Sequence, residues 1–292
     1  MFTQRPAEFE YHSPTSLDEA IGLLSGEDAR ALAGGHSLLP LMKLRLAEPG
    51  TIVDLGRIPG LDAIEEEGDA VKIGALATHA AVAASGVVRS RCRVLADTAE
   101  GIGDLQVRNR GTIGGSLAHA DPGADYPTVV KALGATITAV GEGGEREIAA
   151  DDFFTGIFTT SLQPGELVTS VRVPAVGSGT GAAYVKHRHP ASGYAVAGVA
   201  AVLKVEDGKC SHARLVVGGV TGTPVVADDA ANAMIGIAPV DEAASAAAAE
   251  KVPAALTGAV GDTYASGDYR VHLATVMAKR AIAAAFEAAR AE

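Results

Sequence analysis

The chain has 292 residues, enough for two domains with separate apolar cores, and a formal net charge of -11. That balance excludes nucleic acid or anionic lipid as a broad partner, because both surfaces recruit Lys and Arg. No apolar run is long enough for a direct membrane span. The start, Met1-Phe2-Thr3-Gln4-Arg5-Pro6, lacks a secretory signal's apolar stretch, so a cytoplasmic location is expected.

Leu17, Ala20, Ile21, Leu23 and Leu24 recur at helical spacing behind Ser16, a good N-cap, and ahead of Gly26. They predict a helix over 17–25. Ala31-Leu32-Ala33 then reads as a short buried strand ending at Gly34-Gly35. A helix is expected over 38–46 and a second strand over 51–55, which makes a compact α/β unit. A strand over 71–75 opens a second module, with Thr78 capping a helix over 79–84 and another helix over 94–101. The segment 109–125 is rich in Gly, Asp and small residues. A helix over 126–133 and a strand over 136–140 follow it.

Further strands are expected around Ile148 and over 168–173, before Pro174 and Gly177-Ser178-Gly179 break the pattern. The domain boundary is placed there, giving residues 1–176 (parts at about 1–56 and 57–176) and 177–292. In the second domain, strands over 195–205 and 212–220 flank the turn Asp207-Gly208. Alanine-rich helices over 227–235, 241–260 and 271–291 complete an α+β unit, alanine being the strongest helix former. No internal repeat is found.

The only two cysteines, Cys92 and Cys210, are far apart. An iron–sulfur cluster needs about four ligands, mostly thiolates, so this chain cannot hold one alone. His119-Ala120-Asp121 and His187-Arg188-His189 lack further ligands at convincing spacing, and no metal site is expected. There is no nucleophile elbow.

Chemistry concentrates in two segments, Ala33-Gly34-Gly35-His36-Ser37 and Thr112-Ile113-Gly114-Gly115-Ser116. In each, a Gly-Gly pair removes two Cβ atoms, so that backbone can approach a ligand and adopt positive φ. Successive amides in such turns can converge on a phosphate oxygen, and a diphosphate would suit two turns. Neither segment has Rossmann or P-loop spacing. From the residues alone, a phosphate cradle and a pair of ordinary structural turns both remain open.

The stretch Ala33 to Pro40 (AGGHSLLP), followed by Met42-Lys43-Leu44-Arg45, resembles the first FAD motif of the medium subunits of aerobic carbon monoxide dehydrogenases. Arg110 to Asp125 (RGTIGGSLAHADPGAD) resembles the second. These subunits belong to the xanthine dehydrogenase family of molybdenum hydroxylases. Pro164-Gly165-Glu166-Leu167 and Gly193-Tyr194-Ala195 extend the likeness over the whole chain.

The resemblance implies an α+β fold: a two-part, PCMH-type FAD-binding domain, then a smaller C-terminal domain with a short antiparallel sheet and helices. It implies non-covalent FAD, with the main chain of Ala33, Gly34, Gly35, His36 and Ser37 on the diphosphate. Thr112, Gly114, Gly115 and Ser116 would join them, Ser116 standing where the family often has Asn. Asp125 would approach the adenosine ribose, while Asp121 is divided between binding and turn formation. Ile102 and Leu167 would give apolar contacts. Lys186 would sit near the flavin ring as a cation favouring the reduced form, and Tyr194 against the isoalloxazine face, these two being nearest the chemistry.

The implied function is an electron relay in a larger oxidoreductase. Molybdopterin and [2Fe-2S] clusters would sit on partners, a molybdenum large subunit and an iron–sulfur small subunit, in a dimer of heterotrimers. Carbon monoxide leads among substrates. The alternatives are a stand-alone flavin oxidoreductase with its own substrate pocket, and a binding module that has lost the cofactor.

Overall fold

A computed structural model describes residues 5–26 and 28–291. Three short parallel strands open the chain, ordered Glu10–His12, Thr51–Asp54, Ala29–Leu32 across the sheet. Parallel neighbours need a crossover, and the helix Leu38–Lys43 supplies it between Ala29–Leu32 and Thr51–Asp54. The helix Leu17–Leu24 follows the expected periodicity. Ser16 accepts from the Glu19 amide, and Ala20, Ile21 and Leu24 are buried. The strand before the first glycine pair ends at Leu32, so Ala33 already belongs to the loop.

The second part is a five-stranded antiparallel sheet ordered Ile64–Glu67, Ala70–Gly74, Leu167–Pro174, Thr136–Gly141, Gly144–Ala149. Its apolar face (Val71, Ile73, Ile137, Val171) shares one core with Val82, Leu95 and Val129 from the helices His79–Ala84, Arg93–Glu100 and Asp125–Ala132.

The C-terminal domain is a four-stranded antiparallel sheet ordered Thr180–Arg188, Ala195–Glu206, Lys209–Gly218, Val225–Val226. The strand Ala195–Glu206 is buried on both faces over its first seven residues, which explains its near-continuous apolar sequence. Leu203, Leu215 and Met234 pack with Ala278 and Ile282 of the long helix Gly267–Ala291. Ala200 and Val216 face the other way, into the N-terminal core. Two backbone bonds close the seam between the domains: Ala195 N–H donates to Gly123 O (2.9 Å) and Gly219 N–H to Pro122 O (2.9 Å).

Two expectations change. The single helix over 241–260 is instead Glu242–Ala249 followed by a 3-10 turn, Val252–Ala255, because Pro253 has no amide to continue the ladder. The strand Thr180–Arg188 was not anticipated. Among the described residues no helix is long and apolar enough to cross a membrane.

Candidate cofactor site

A cavity of about 610 Å³ opens where the first sheet, the second glycine segment and the turn 189–194 meet. That volume suits a small molecule or cofactor (roughly 300–1,000 Å³). Every residue of the two glycine segments expected to touch the cofactor lines this one cavity, as do Ile102, Asp121, Asp125, Leu167 and Tyr194. Lys186 does not line it.

In the first segment Gly35 takes the positive φ expected there, +76°, a conformation side chains rarely adopt. Gly34 lines the cavity but is bare on its other side, toward the chain: a Cβ there would strike the carbonyl of Arg110, with Gly111 Cα close behind. The carbonyls of Gly35 and Ser37 accept from Leu39 and Leu41. Among the described residues, the amides of Gly34, Gly35, His36 and Ser37 find no protein acceptor. Four successive N–H groups without acceptors, at the edge of a cavity, fit an anionic oxygen cluster such as a diphosphate. His36 is exposed, its Nδ1 lying 3.3 Å from Gly34 O.

The second segment is a correction to the sequence reading. It is the start of a helix, Ile113–His119, capped by Thr112, whose Oγ1 accepts from Gly115 N–H at 3.1 Å. The amides of Ile113, Gly114 and Ser116 donate to Ala77, Ala75 and Thr112 carbonyls at 2.9–3.0 Å. Free amides are therefore offered by the first segment alone. Gly114 has no side chain because a Cβ would strike Ala75, at the end of the strand Ala70–Gly74. Its bareness lets helix and strand approach, and does not clear space for a phosphate. A Cβ on Gly115 would meet Thr112 Oγ1 at 2.7 Å, with Ala33 Cβ 3.8 Å away, so the two segments touch. To the cavity the second segment presents the Thr112 and Ser116 side chains.

Beneath these crossing backbones lies His79, which the sequence reading used only to mark a helix start. It lines the cavity yet is 5% exposed. Its amide donates to Gly111 O at 2.9 Å, and its Nε2 fills the place a Gly111 Cβ would take, 2.6 Å from that position. The ring packs at 5.3 Å on Tyr126. Burial above all, then His36 and Arg108, pushes its pKa down to about 4, so it is neutral. His79 is the spacer that sets the height of Gly111, on which Gly34 rests.

Asp125 and Lys186 meet. Lys186 Nζ donates to Asp125 Oδ2 at 2.5 Å and to Gly193 O at 3.0 Å, while Tyr184 OH donates to Asp125 Oδ1 at 2.7 Å. Burial pushes the Asp125 carboxyl upward, opposed by Lys186 and then Tyr184. The sequence reading gave the carboxylate to the adenosine ribose and the ammonium to the flavin ring; in the structure the two side chains contact each other. Lys186 reaches the cavity wall from behind, through Asp125 and Gly193.

Tyr194 stands 43% exposed at the mouth, beside Ser37 of the first segment. Partial burial, then the charges of Asp121 and Asp125, raise its hydroxyl's pKa. Asp121 Oδ1 accepts from Gly123 N–H at 2.9 Å, a turn-forming bond, although the residue also lines the cavity.

Comparison with known proteins gives this geometry a family. The model describing the FAD binding domain in molybdopterin dehydrogenase matches residues 7–176. The model for the carbon monoxide dehydrogenase flavoprotein C-terminal domain matches 182–285. The chain belongs to the FAD-binding medium subunits of the carbon monoxide dehydrogenase and xanthine dehydrogenase family. As a medium subunit of this oxidoreductase family, it is 41% identical to the carbon monoxide dehydrogenase medium chain of Hydrogenophaga pseudoflava, over 96% of this chain and 98% of that one. A structure of the Hydrogenophaga pseudoflava enzyme lacking the Mo-pyranopterin moiety superposes with a TM-score of 0.92 at 43% identity, covering 97% and 98% of the two chains. Quinoline 2-oxidoreductase from Pseudomonas putida 86 gives 0.91 at 34% identity, covering 98% and 99%. The chain carries the family's FAD-binding domain, and the acceptor-less amides at Gly34–Ser37, on a cavity of this size, fit the cofactor's diphosphate.

Proposed function

We propose that this chain is the electron-relay subunit of a molybdenum hydroxylase. It would take electrons from an iron–sulfur small subunit and pass them to an external acceptor, while a molybdenum large subunit oxidises the substrate. The observation that carries this reading is the row of four amides without acceptors among the described residues, in a cavity walled by both domains. Bound FAD supplies the redox chemistry, exchanging one or two electrons. The chain's own residues hold and orient it: Gly34, Gly35, His36 and Ser37 by their amides, Thr112 and Ser116 by hydroxyls, Ile102 and Leu167 by apolar contact. Gly114 and Gly115 act by letting these elements approach one another. Ala33 contributes wall, and Asp125 a carboxyl whose upward shift by burial Lys186 opposes. Tyr194 covers the mouth.

Carbon monoxide is the substrate class best supported, through the likeness to the carbon monoxide dehydrogenase medium chain. The assembly we infer is a dimer of heterotrimers, with this chain's domains meeting near Val176. Co-purification with the two partner subunits should give a complex whose flavin absorbance bleaches under carbon monoxide. The chain alone should bind FAD without being reduced by carbon monoxide or by small aldehydes and heterocycles. Reduction of the isolated chain by such a substrate would overturn the relay and favour a stand-alone flavin oxidoreductase.

A further inference from the structure

The turn that carries Tyr194 is short and exposed, and it is held by a side chain assigned to nothing so far. Pro190, Ala191, Ser192 and Tyr194 are all exposed. Backbone closes the base: His189 N–H donates to Tyr194 O at 2.8 Å, and Gly193 N–H to His189 O at 2.9 Å, with Gly193 at φ +76°. Lys186 Nζ donates to Gly193 O from below. At the tip, the amides of Ala191 and Ser192 both donate to one atom, His189 Nδ1, at 3.2 and 3.3 Å. Nδ1 can accept only with its lone pair free, so the ring proton is on Nε2.

The ring itself is anchored. It stands edge-on to Tyr264 at 4.5 Å. The amides of Tyr264 and Ala265 are gathered by Asp262 Oδ1 at 2.8 and 2.9 Å, and Arg270 holds the other oxygen of Asp262 at 2.6 Å. Arg270 is buried and also donates to Val196 O and Gly219 O, at the seam between the domains. The turn is thus tied through His189 to the rigid part of the C-terminal domain.

We propose that His189 is a positioning residue for the flavin site. It accepts the Ala191 and Ser192 amides, and so fixes the turn that holds Tyr194 over the cavity. The idea rests on the cavity being the FAD site. An acceptor on residue i serving amides at i+2 and i+3 is what an Asn side chain provides in an Asx turn. Asn lacks the ring that meets Tyr264 but keeps the acceptor. Two neutral hydrogen bonds contribute modestly each, and water competes at an exposed turn.

The test uses the full chain in its complex, titrated with FAD, reading affinity and the quenching of flavin fluorescence by Tyr194. His189→Ala should weaken FAD binding roughly five- to tenfold. It should also relieve the quenching toward the level of Tyr194→Ala. His189→Asn should restore both most of the way. If His189→Ala binds and quenches as wild type does, the proposal is overturned while the FAD site stands. If Ala and Asn variants lose both equally, packing on Tyr264 and not amide acceptance is the cause, which also overturns it. A wild-type chain that takes up no FAD would instead refute the cavity assignment itself.

Discussion

Replacing Lys186 with Met isolates the buried pair behind the cavity. Lys186 and Asp125 side chains are 9% and 5% exposed. Without the ammonium, Asp125 keeps only the Tyr184 hydroxyl as partner. Breaking a buried ion pair by deleting one member costs about 3–5 kcal/mol, because the remaining charge is left uncompensated. At about 2–4 °C per kcal/mol for a unit of this size, the melting temperature should fall by roughly 6–20 °C. The pH dependence has a definite sign. Burial raises the Asp125 carboxyl and Lys186 is the main opposing influence, so in the variant the raising goes largely unopposed. A carboxyl whose folded pKa exceeds its unfolded one favours the fold below the unfolded value, and that contribution is lost as pH rises through the folded one. The variant's deficit should be largest at about pH 8 and shrink at about pH 5.5. Adding Asp125→Asn to Lys186→Met should recover most of the loss. Thermal melts of the FAD-free chain by circular dichroism measure all three. A variant melting within about 2 °C of wild type at pH 8 contradicts the magnitude estimated from burial. A deficit that grows on acidification refutes the electrostatic account.

Three further substitutions or titrations test the site. Gly34→Ala places a methyl on the Arg110 carbonyl and should weaken FAD binding at least about tenfold, or 1.4 kcal/mol; unchanged affinity in a fluorescence titration would remove the close approach from the argument. Gly114→Val should destabilise the FAD-free chain by about 1–3 kcal/mol in urea unfolding, as overpacking against Ala75 does. If it keeps full stability and loses only FAD, the side chain occupies ligand space after all. His79 should stay neutral down to about pH 5 in nitrogen-15 NMR, given its pKa of about 4. A pKa depressed from 6.5 to about 4 gives stability that is present above 6.5 and lost as pH falls toward 4, roughly 3 kcal/mol in all. A titration midpoint near 6.5 would show the ring to be hydrated and not a spacer.

Local patterns were legible in the sequence where one residue type suffices for the job. Ser16 and Thr78 cap the helices assigned to them, because a hydroxyl before an apolar periodic run has few other uses. The apolar run at 195–201 is buried on both faces of its strand, which a near-continuous apolar sequence suits. The residues of the two family motifs line one cavity, but the motifs do not give each residue's task. Gly114 and Gly34 look identical in sequence to ligand-facing glycines. Their neighbours, Ala75 and Arg110, lie 39 and 76 residues away, beyond the reach of local pattern. The Asp125–Lys186 contact spans 61 residues, and the strand Thr180–Arg188 that delivers Lys186 has no clean alternation to announce it. His79 was hidden for another reason: burial, which turns it into a neutral spacer, has no signature in a helix-start histidine.

The seam at Pro122–Gly123 is made of main-chain bonds to Ala195 and Gly219, while side chains fasten it on either side: Tyr184 and Lys186 to Asp125, and Arg214 to Asp151. Swapping the C-terminal half for that of a homologous subunit therefore asks for a short set of residues. The donor must supply a glycine in the left-handed region at the place of Gly219 (φ +80°), a guanidinium at the place of Arg270 to brace it, and partners for Asp125 and Asp151. Chimeras that keep this set should close around the cofactor, which leaves the outward faces free to diverge toward different partner subunits.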